Sequence, residues 1–332
     1  MTEARNKKPT KQNMNVFVVV PNWNGEDFLE SCLESLLSQT EKCNVVVVEN
    51  GSVDSSDKIL ASYGNKITVL KQPKNLGFAG GVNVGINYAI DNEADYIALF
   101  NNDAVADKNW LKELTSVAVK NNTGIVTGKL LHKEDGKIDS TGDFYTIYGL
   151  PYPRGRNQKD VNQYSKTEEI FGASGGASLY STAMLNEIGL FDEDFFAYFE
   201  DVDISFRAQL AGYKVFYSPG AIAYHHIGGT SSKLNGFAVY QTAKNFWFVY
   251  LKNMPGLLFW EYLPLATYWY TRMFLAKFIR GGVWFFIKGW VAGLILLPRK
   301  FNERTKIQKN KKVSTKYINS ILTHSKPPKI NH

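Results

Sequence analysis

The sequence has very little cysteine, with Cys32 and Cys43 as the two examples in 332 residues. This number excludes a disulfide scaffold, and the lack of a CxxC pair excludes a zinc ribbon. We expect both thiols to be small, mostly buried side chains in a reducing compartment. The first fifteen residues carry charge but no apolar run, so we also expect no secretory signal.

Long uncharged apolar segments are missing as well. The range 255–298 is dense in Trp, Tyr, Phe and Leu, but charged residues interrupt it throughout. A membrane-spanning helix needs about 20 predominantly apolar residues, so this range does not predict a simple span. Aromatic and aliphatic faces with scattered cations are typical of helices that lie in the membrane interface. A core-packed helical hairpin followed by a solvated basic tail is the alternative.

Acidic residues are scarce at the C-terminal end. From Leu251 onward there are fifteen Lys and Arg against two Asp and Glu, a balance of +13 in a chain of net charge +7. Residues 1–250 therefore carry −6, and an acidic body joined to a basic tail indicates two tasks. Anionic headgroups would attract the tail, at about 1 kcal/mol per cation. Nucleic-acid binding is the alternative, but the tail has no recognisable reader module and the acidic body would repel phosphates.

Short apolar runs alternate with segments of helical spacing over the first 250 residues. Helical spacing is clear at 26–37. The continuous Val runs indicate strands that are covered on both faces. Single helices between strands imply parallel crossovers, so we predict an α/β fold with a doubly wound, mostly parallel sheet and flanking helices. The predicted buried strands are 15–21, 44–50, 67–70 and 96–103.

Polar side chains collect where these predicted strands end. In doubly wound sheets, ligands bind outside the carboxyl ends of the strands, so this clustering predicts a binding site. Polar turns that bind nothing are the alternative. The side chains are Asn22 and Asn24 after the first strand, Glu49 and Asn50 after the second, and Asn101, Asn102 and Asp103 after the fourth.

The phosphate-binding motifs of common nucleotide enzymes are absent. Neither GxxxxGK[ST] nor a strand-linked GxGxxG occurs, which argues against a P-loop and a Rossmann dinucleotide site. The segment 77–85 is glycine-rich and could let the backbone approach a ligand closely, and Asn75 and Asn83 could bond to that ligand. A flexible turn before a helix explains the segment about as well. The sequence PNWNGEDF at the first strand is also unlike the basic loop of a nucleotidyltransferase.

Two groups of residues carry candidate chemistry. Glu200 and Asp201 lie in an acidic cluster between apolar neighbours, where a carboxylate can be tuned as a general base. An acidic first turn of a helix is the alternative. Asp103, beside two amides, suits a divalent cation that also binds phosphates, although it could instead cap a helix. The imidazole of His225 could complete that metal shell, or be structural.

Seven motifs in order resemble glycosyltransferase family 2, most closely its rhamnosyltransferase-like members. The motifs are PNWNG, VVENGSVD, NLGFAGGVN, FNND, FGASGG, FDEDFFAYFEDVDISFRAQLAGYKV and HHIGGTSS. The resemblance covers roughly 15–235 and implies a GT-A fold for that range. We accordingly expect a disordered tail at 1–14, a membrane-associating region of amphipathic aromatic helices at 236–300 and a basic tail at 301–332.

The resemblance also implies roles for individual residues. Asp201 matches the catalytic base of the family, beside Glu200. Asp103 is the one carboxylate that remains of the family's metal motif. His225 matches the family's downstream histidine, with His226 as an alternative. The implied cofactor is Mg²⁺ or Mn²⁺, held by Asp103 and His225. Glu49 stands where the family usually has Asp. The residues implied to bind the nucleotide sugar are Pro21, Asn22, Asn24, Glu49, Asn50, Asn75, Gly77, Phe78, Asn83, Asn101 and Asn102.

The implied function is that of an inverting, metal-dependent glycosyltransferase. It would move a sugar, with rhamnose as the first candidate, from a nucleotide-diphosphate donor to a lipid-linked or glycan acceptor in cell-surface polysaccharide synthesis. We expect it to act at the cytoplasmic face of the membrane as a peripheral protein, without nucleic acid as a partner. The alternative is a non-catalytic scaffold that binds a nucleotide sugar or glycan at the membrane.

Overall fold

A computed structural model describes residues 14–226 and 234–326 of the chain. The predicted disordered tail lies outside the described residues, apart from Met14. The Gly-Gly-Thr-Ser segment that follows His226 also lies outside them.

The strands that build the molecule are mostly short. The first four strands correspond to the four predicted from apolar runs. The strands are β1 (Val16–Asn22), β2 (Asn44–Glu49), β3 (Thr68–Lys71), β4 (Tyr96–Phe100), β5 (Ala104–Ala106), β6 (Ile125–His132), β7 (Ile138–Ser140), β8 (Asp143–Tyr145), β9 (Pro151–Pro153), β10 (Glu168–Ile170), β11 (Ala177–Ser181) and β12 (Val215–His225).

Helices follow half of the strands directly, and four of the helices form the C-terminal region. Short 3₁₀ turns occur at Gly64–Lys66 and Glu193–Phe195. The helices are α1 (Leu29–Leu37), α2 (Ser56–Ser62), α3 (Gly77–Asp91), α4 (Trp110–Asn121), α5 (Thr182–Ile188), α6 (Glu200–Leu210), α7 (Phe237–Asn253), α8 (Gly256–Arg280), α9 (Val283–Lys309) and α10 (Thr315–Ile321).

The main sheet has the strand order β10-β12-β6-β11-β4-β1-β2-β3. Strands β3, β2, β1 and β4 are parallel to one another, and β6 and β12 form a second parallel pair. Strand β11 runs antiparallel between β4 and β6 and so joins the two parallel parts. The predicted α/β fold class is confirmed, because helices flank a sheet whose N-terminal half is wholly parallel.

Side chains of β1 show why its Val run is continuous. Val18 and Val20 pack in one buried cluster with Leu33 of α1 and Trp110 of α4. Val19, pointing to the other face, packs in a second cluster with residues of α3. Both faces of the sheet are therefore covered, as the lack of polar alternation predicts.

The C-terminal helices share a buried core with the α/β part of the chain. A third buried cluster contains Phe206 of α6, Phe246 of α7 and Ile318 of α10. The predicted basic tail is folded in part, since α9 extends to Lys309 and α10 follows it. Among the helices described, none is both long enough and apolar enough to cross a bilayer.

Helices α7 and α9 approach each other closely at two glycines of α9. A Cβ atom on Gly289 would overlap the main-chain oxygen of Tyr240. A Cβ atom on Gly293, one turn later, would lie 3.2 Å from the main-chain oxygen of Lys244. The first contact leaves no room for a methyl group, whereas the second requires only a small adjustment.

We therefore expect Gly289→Ala to destabilise the protein by about 1–3 kcal/mol, the usual cost of overpacking. Gly293→Ala is the matched control, because alanine gains about 1 kcal/mol of helix propensity there and meets a milder contact. Urea unfolding, followed by the intrinsic fluorescence of the C-terminal tryptophans, measures both variants. Equal midpoints for the two variants would contradict the close packing of α7 on α9.

Candidate active site

A cavity of about 440 Å³ opens at the carboxyl ends of β1 and β4. The acidic start of α6 and the end of β12 form its opposite wall. Twelve of the residues predicted from the sequence line it: Pro21, Asn22, Asn50, Asn75, Gly77, Phe78, Asn101, Asn102, Asp103, Glu200, Asp201 and His225. The remaining three predicted residues, Asn24, Glu49 and Asn83, lie outside the wall.

The fully buried Asn22 connects the ends of three strands. Its amide nitrogen donates to Glu49 Oε2 at 2.7 Å, and its amide oxygen accepts from Asn102 Nδ2 at 2.8 Å. Glu49 Oε1 accepts from the main-chain amide of Ser52 at 2.7 Å. Glu49 therefore orients Asn22 from beneath the cavity. Asn24 stabilises the neighbouring loop, because its Oδ1 accepts a hydrogen bond from the main-chain amide of Val53.

The glycine-rich segment forms the first turns of α3 rather than a loop. Gly77 adopts a φ of +74°, and a Cβ atom there would overlap the main-chain oxygen of Phe196. Asn50 Nδ2 donates to Gly77 O at 3.0 Å, and Asn75 Oδ1 accepts from Gly77 N at 2.8 Å. These amides fix the start of α3 at the cavity.

Asn83 performs a different task further along α3. Its amide exchanges two hydrogen bonds with the main chain of Phe191, at 2.8 and 3.0 Å. Asn83 Nδ2 also lies 3.1 Å from Glu193 Oε1. The residue thus joins α3 to the segment that leads into α6, and lies outside the cavity wall.

Strand pairing brings Asp103 and His225 together. His225 lies opposite Ala104 in the β5–β12 ladder, and its Nε2 is 3.1 Å from Asp103 Oδ1. Its Nδ1 is 3.0 Å from Asp139 Oδ2, so the second ring nitrogen has a carboxylate partner. His226 faces away from the cavity and pairs with Glu134 at 2.8 Å.

The Asp103–His225 pair fits a divalent cation. Asp103 Oδ1 is buried and accepts no well-aligned hydrogen bond from the described residues. Burial alone would lower the pKa of His225, but the carboxylates of Asp103 and Asp139 outweigh it and raise the pKa to about 10. The cavity therefore favours positive charge at this point. A ligating imidazole commonly has a carboxylate behind it, as Asp139 is here.

Asp201 and Glu200 begin helix α6 at the cavity. Asp201 Oδ2 accepts from the amide of Gly175 at 3.0 Å and Oδ1 from that of Val202 at 2.8 Å. Burial raises the pKa of Asp201, although these amide hydrogen bonds oppose the rise. Burial, and then the charge of Asp201, raise the pKa of Glu200. A raised carboxylate pKa suits a general base that works near neutral pH.

Several cavity residues come from the β7–β9 segment, which the sequence analysis missed. Asp143 is buried, and burial followed by the charge of Asp201 raises its pKa to about 8. Arg156 opposes that rise and forms an ion pair with Asp139. Ser140 and Tyr152 also line the cavity. The sequence IDSTGD at 138–143, which carries two acidic residues and a glycine, is a signal that could have found Ser140 and Asp143.

Comparison with known proteins identifies the family. The profile of glycosyl transferase family 2 matches residues 17–189, just over half of the chain, so the chain belongs to that family. The low-salt glycan biosynthesis hexosyltransferase Agl10 of Haloferax volcanii is 24% identical over 200 residues, covering 58% of this chain and 61% of that relative. The N-acetylglucosaminyl-diphospho-decaprenol L-rhamnosyltransferase of Mycobacterium tuberculosis is 25% identical over 230 residues, covering 63% and 75%.

Solved structures with the same fold support the GT-A assignment. Residues 1–349 of TarS from S. aureus, in complex with UDP-GlcNAc, give a TM-score of 0.55 at 17% identity, covering 93% of this chain and 84% of that one. GalNAc-T7 with UDP, GalNAc and Mn²⁺ gives a TM-score of 0.57 at 16% identity, covering 72% and 48%. The sheet with flanking helices is therefore the GT-A fold that the resemblance implied.

The raised pKa of Asp143 has a consequence for stability. Between its unfolded pKa near 4 and its folded pKa of about 8, the native state holds a proton that the unfolded state has lost. Stability therefore falls as pH rises through this window, and the loss is complete above it. We expect Asp143→Asn to remove this loss, so that its melting temperature relative to wild type increases from pH 5 to pH 8 and then levels off.

Differential scanning calorimetry of both proteins at five pH values measures this difference. A difference of at least about 2 °C between pH 5 and pH 8 is expected for a domain of this size. A difference that stays constant with pH would mean that Asp143 titrates alike in the folded and unfolded chains.

Proposed function

We propose that this protein is an inverting glycosyltransferase that uses a nucleotide-diphosphate sugar and a divalent cation. One observation carries the proposal: the candidate base Asp201 and the candidate metal pair of Asp103 and His225 line the same cavity. Its place at the carboxyl ends of parallel strands is where α/β proteins bind nucleotides. Family membership agrees with this activity.

The donor would lie along the N-terminal wall. The amides of Asn22 and Asn50 bond within the protein and shape this wall beside Pro21, and the Nδ2 group of Asn75 would donate to a nucleoside. The diphosphate would lie toward Asp103 and His225, which would hold Mg²⁺ or Mn²⁺. When bound, such a cation neutralises charge on the diphosphate as the nucleotide leaves.

The chemical step would be a single displacement. The Asp201 carboxylate takes the proton of an acceptor hydroxyl, whose oxygen forms a bond to the anomeric carbon. The bond from that carbon to the diphosphate oxygen breaks, and the electron pair leaves with the nucleoside diphosphate. Attack from the face opposite the leaving group inverts the configuration. Glu200 and Asp143, both with raised pKa values, flank the base without adding full negative charge.

The relatives' names support particular substrates. The mycobacterial L-rhamnosyltransferase supports rhamnose as the transferred sugar and a lipid diphosphate as the acceptor carrier. The TarS complex with UDP-GlcNAc supports a uridine-diphosphate hexose as the second candidate donor. We propose a surface glycan as the product, with the lipid-linked acceptor presented at the membrane.

The outer faces of α8 and α9 would contact the membrane. Large apolar side chains are exposed at helical spacing along α8, and cations lie among the aromatic rings. Arg272 stacks 5.0 Å from the Trp269 ring, and Lys288 lies 5.1 Å from that of Trp284. This combination suits peripheral binding to an anionic cytoplasmic leaflet. The exposed apolar residues are Leu257, Trp260, Tyr268, Leu275, Phe278, Ile279, Trp284, Trp290, Val291, Leu294, Ile295 and Phe301.

Two variants separate catalysis from donor binding. We expect Asp201→Asn to lower turnover at least about 100-fold, because the amide cannot accept the proton, while nucleotide binding stays unchanged. We expect Asp103→Ala to weaken only the Mn²⁺-dependent part of nucleotide binding. Release of nucleoside diphosphate from dTDP-rhamnose and UDP-GlcNAc measures turnover. Thermal shifts with UDP, dTDP and GDP, each with and without Mn²⁺, measure binding.

Each variant is the control for the other. Equal loss of binding in both variants would mean that Asp201 is structural. Unchanged Mn²⁺-dependent binding in Asp103→Ala would refute the ligand role. Nucleotide binding by the wild-type protein without turnover of either sugar would favour a non-catalytic scaffold.

Membrane binding has its own test. We expect the double variant Trp260→Ser/Phe278→Ser to bind phosphatidylglycerol vesicles at least about tenfold more weakly, because it lacks two large apolar side chains that would be buried in the membrane interface. The matched control is Val53→Ser/Val161→Ser, which replaces exposed apolar residues of the catalytic half. Vesicle co-sedimentation at low and high salt measures both, and RNA serves as a second polyanion. Equal affinity of the two double variants would contradict the membrane-facing role of α8.

A further inference from the structure

The segment before α6, residues 192–199, is here called the base loop because it leads directly into Asp201. Three of its bulky residues adopt left-handed backbone conformations: Phe196 at φ 63°, Tyr198 at 68° and Phe199 at 75°. Such conformations cost about 1–2 kcal/mol each for residues other than glycine, and they persist where the surroundings hold them. Contacts from elsewhere must therefore fix this loop.

Asn245 of α7 supplies the central contact. Its side chain is fully buried, and no part of it lines the cavity. Its Nδ2 donates toward three main-chain oxygens of the base loop: Phe195 at 3.0 Å, Ala197 at 2.9 Å and Tyr198 at 2.7 Å. One amide group thus spans the whole left-handed stretch, and at Phe195 it shares the main-chain oxygen with Lys244 Nζ, which lies 3.2 Å away.

Cations of the C-terminal helices hold the first residues of the same loop. Lys252 and Lys300 are almost completely buried, and their ammonium groups lie 2.5 and 2.6 Å from Asp192 Oδ2. Lys300 also pairs with Asp194 at 2.7 Å, and Lys244 donates to the main-chain oxygen of Asp194 at 2.8 Å. The acidic residues at this end are therefore neutralised by α7 and α9.

The opposite side of the base loop contacts the donor half. The main-chain oxygen of Phe196 accepts from the amide of Ala79 at 3.1 Å, at the start of α3. Phe196, Tyr198 and Phe199 line the cavity. The loop is therefore held between α7 and α3, and its outward face is part of the candidate active site.

We propose that Asn245 is a positioning residue, which holds the base loop so that Asp201 is aimed at the acceptor hydroxyl. The inference rests on the proposed role of Asp201 as the base. It makes α7 part of the catalytic unit through a buried side chain, in addition to Phe237 at the start of α7, which lines the cavity. A displacement of about 1 Å in a reacting group can lower a rate about 100-fold, so the hydrogen bonds of one buried amide are sufficient.

The experiment compares Asn245→Ala with Asn253→Ala. Asn253 is the matched control, because it is also fully buried on α7 and its Nδ2 donates to Asp203 Oδ1 at 2.8 Å, without contacting the base loop. We expect similar losses of melting temperature in the two variants. We expect kcat to fall about 100-fold in Asn245→Ala alone, with the donor KM and the Mn²⁺-dependent binding of UDP or dTDP unchanged. Asn245→Ser keeps one donor and should recover part of the rate; it also carries the test if the alanine variant fails to fold.

Hydrogen–deuterium exchange supplies a readout that needs no turnover. Exchange in the peptide covering 192–200, which excludes the Asn253 partner Asp203, should increase in Asn245→Ala and in Asn245→Ser, and stay at the wild-type level in Asn253→Ala. Equal kcat losses in both alanine variants, or lost nucleotide binding in Asn245→Ala, would overturn the positioning role. Unchanged exchange would overturn it as well. A wild-type protein that turns over no sugar nucleotide, yet shows the exchange difference, would refute the proposed base while leaving the loop contact established.

Discussion

One fully buried amide, that of Asn22, joins the ends of the strands around which the cavity is built. It links β1 to Glu49 at the end of β2 and to Asn102 after β4. A buried amide must have its hydrogen bonds satisfied, so this network permits one arrangement of the three chain segments. Asp103 follows Asn102 directly, and its position is therefore set by the same network. The wall proposed for the donor and the candidate metal ligand therefore depend on one buried side chain, that of Asn22.

The electrostatics of the cavity fit the proposed cation. Four carboxylates, those of Asp103, Asp143, Glu200 and Asp201, line a space that an anionic diphosphate would have to enter. Burial raises the pKa values of Asp143, Glu200 and Asp201, and the charge of Asp201 adds to the rise for the first two, which lowers the negative charge near the candidate base. Behind His225, the pKa of Asp139 stays below its usual range despite burial, because its carboxylate bonds to His132, His225 and Arg156. The side of the cavity beside Asp201 thus carries less negative charge than its carboxylates would in water, whereas His225 and the Asp139 behind it stay charged.

The sequence predicts the parts of this site that lie on strong local patterns. Strands β1 to β4 are continuous apolar runs, and the polar residues after them follow from the geometry of parallel sheets. The β7–β9 segment escapes prediction because its strands are three residues long and show no periodicity. The glycine-rich start of α3 reads as a turn, yet the segment is helical. A Cβ atom on Gly85 would overlap the side chain of Val19 in β1, so glycine there lets α3 pack closely on the sheet, and no local pattern records that packing.

The C-terminal charge is also divided in a way that composition does not show. Lys252 and Lys300 are buried and neutralise carboxylates beside the base loop, and the guanidinium of Arg304 donates to main-chain oxygens at the end of α7. Other cations, such as Arg272 and Lys288, lie beside aromatic rings on α8 and α9. A single helix, α9, carries members of both groups. The balance of +13 therefore overstates the charge available to an anionic surface, since some of these cations are paired with carboxylates that hold the candidate active site in place.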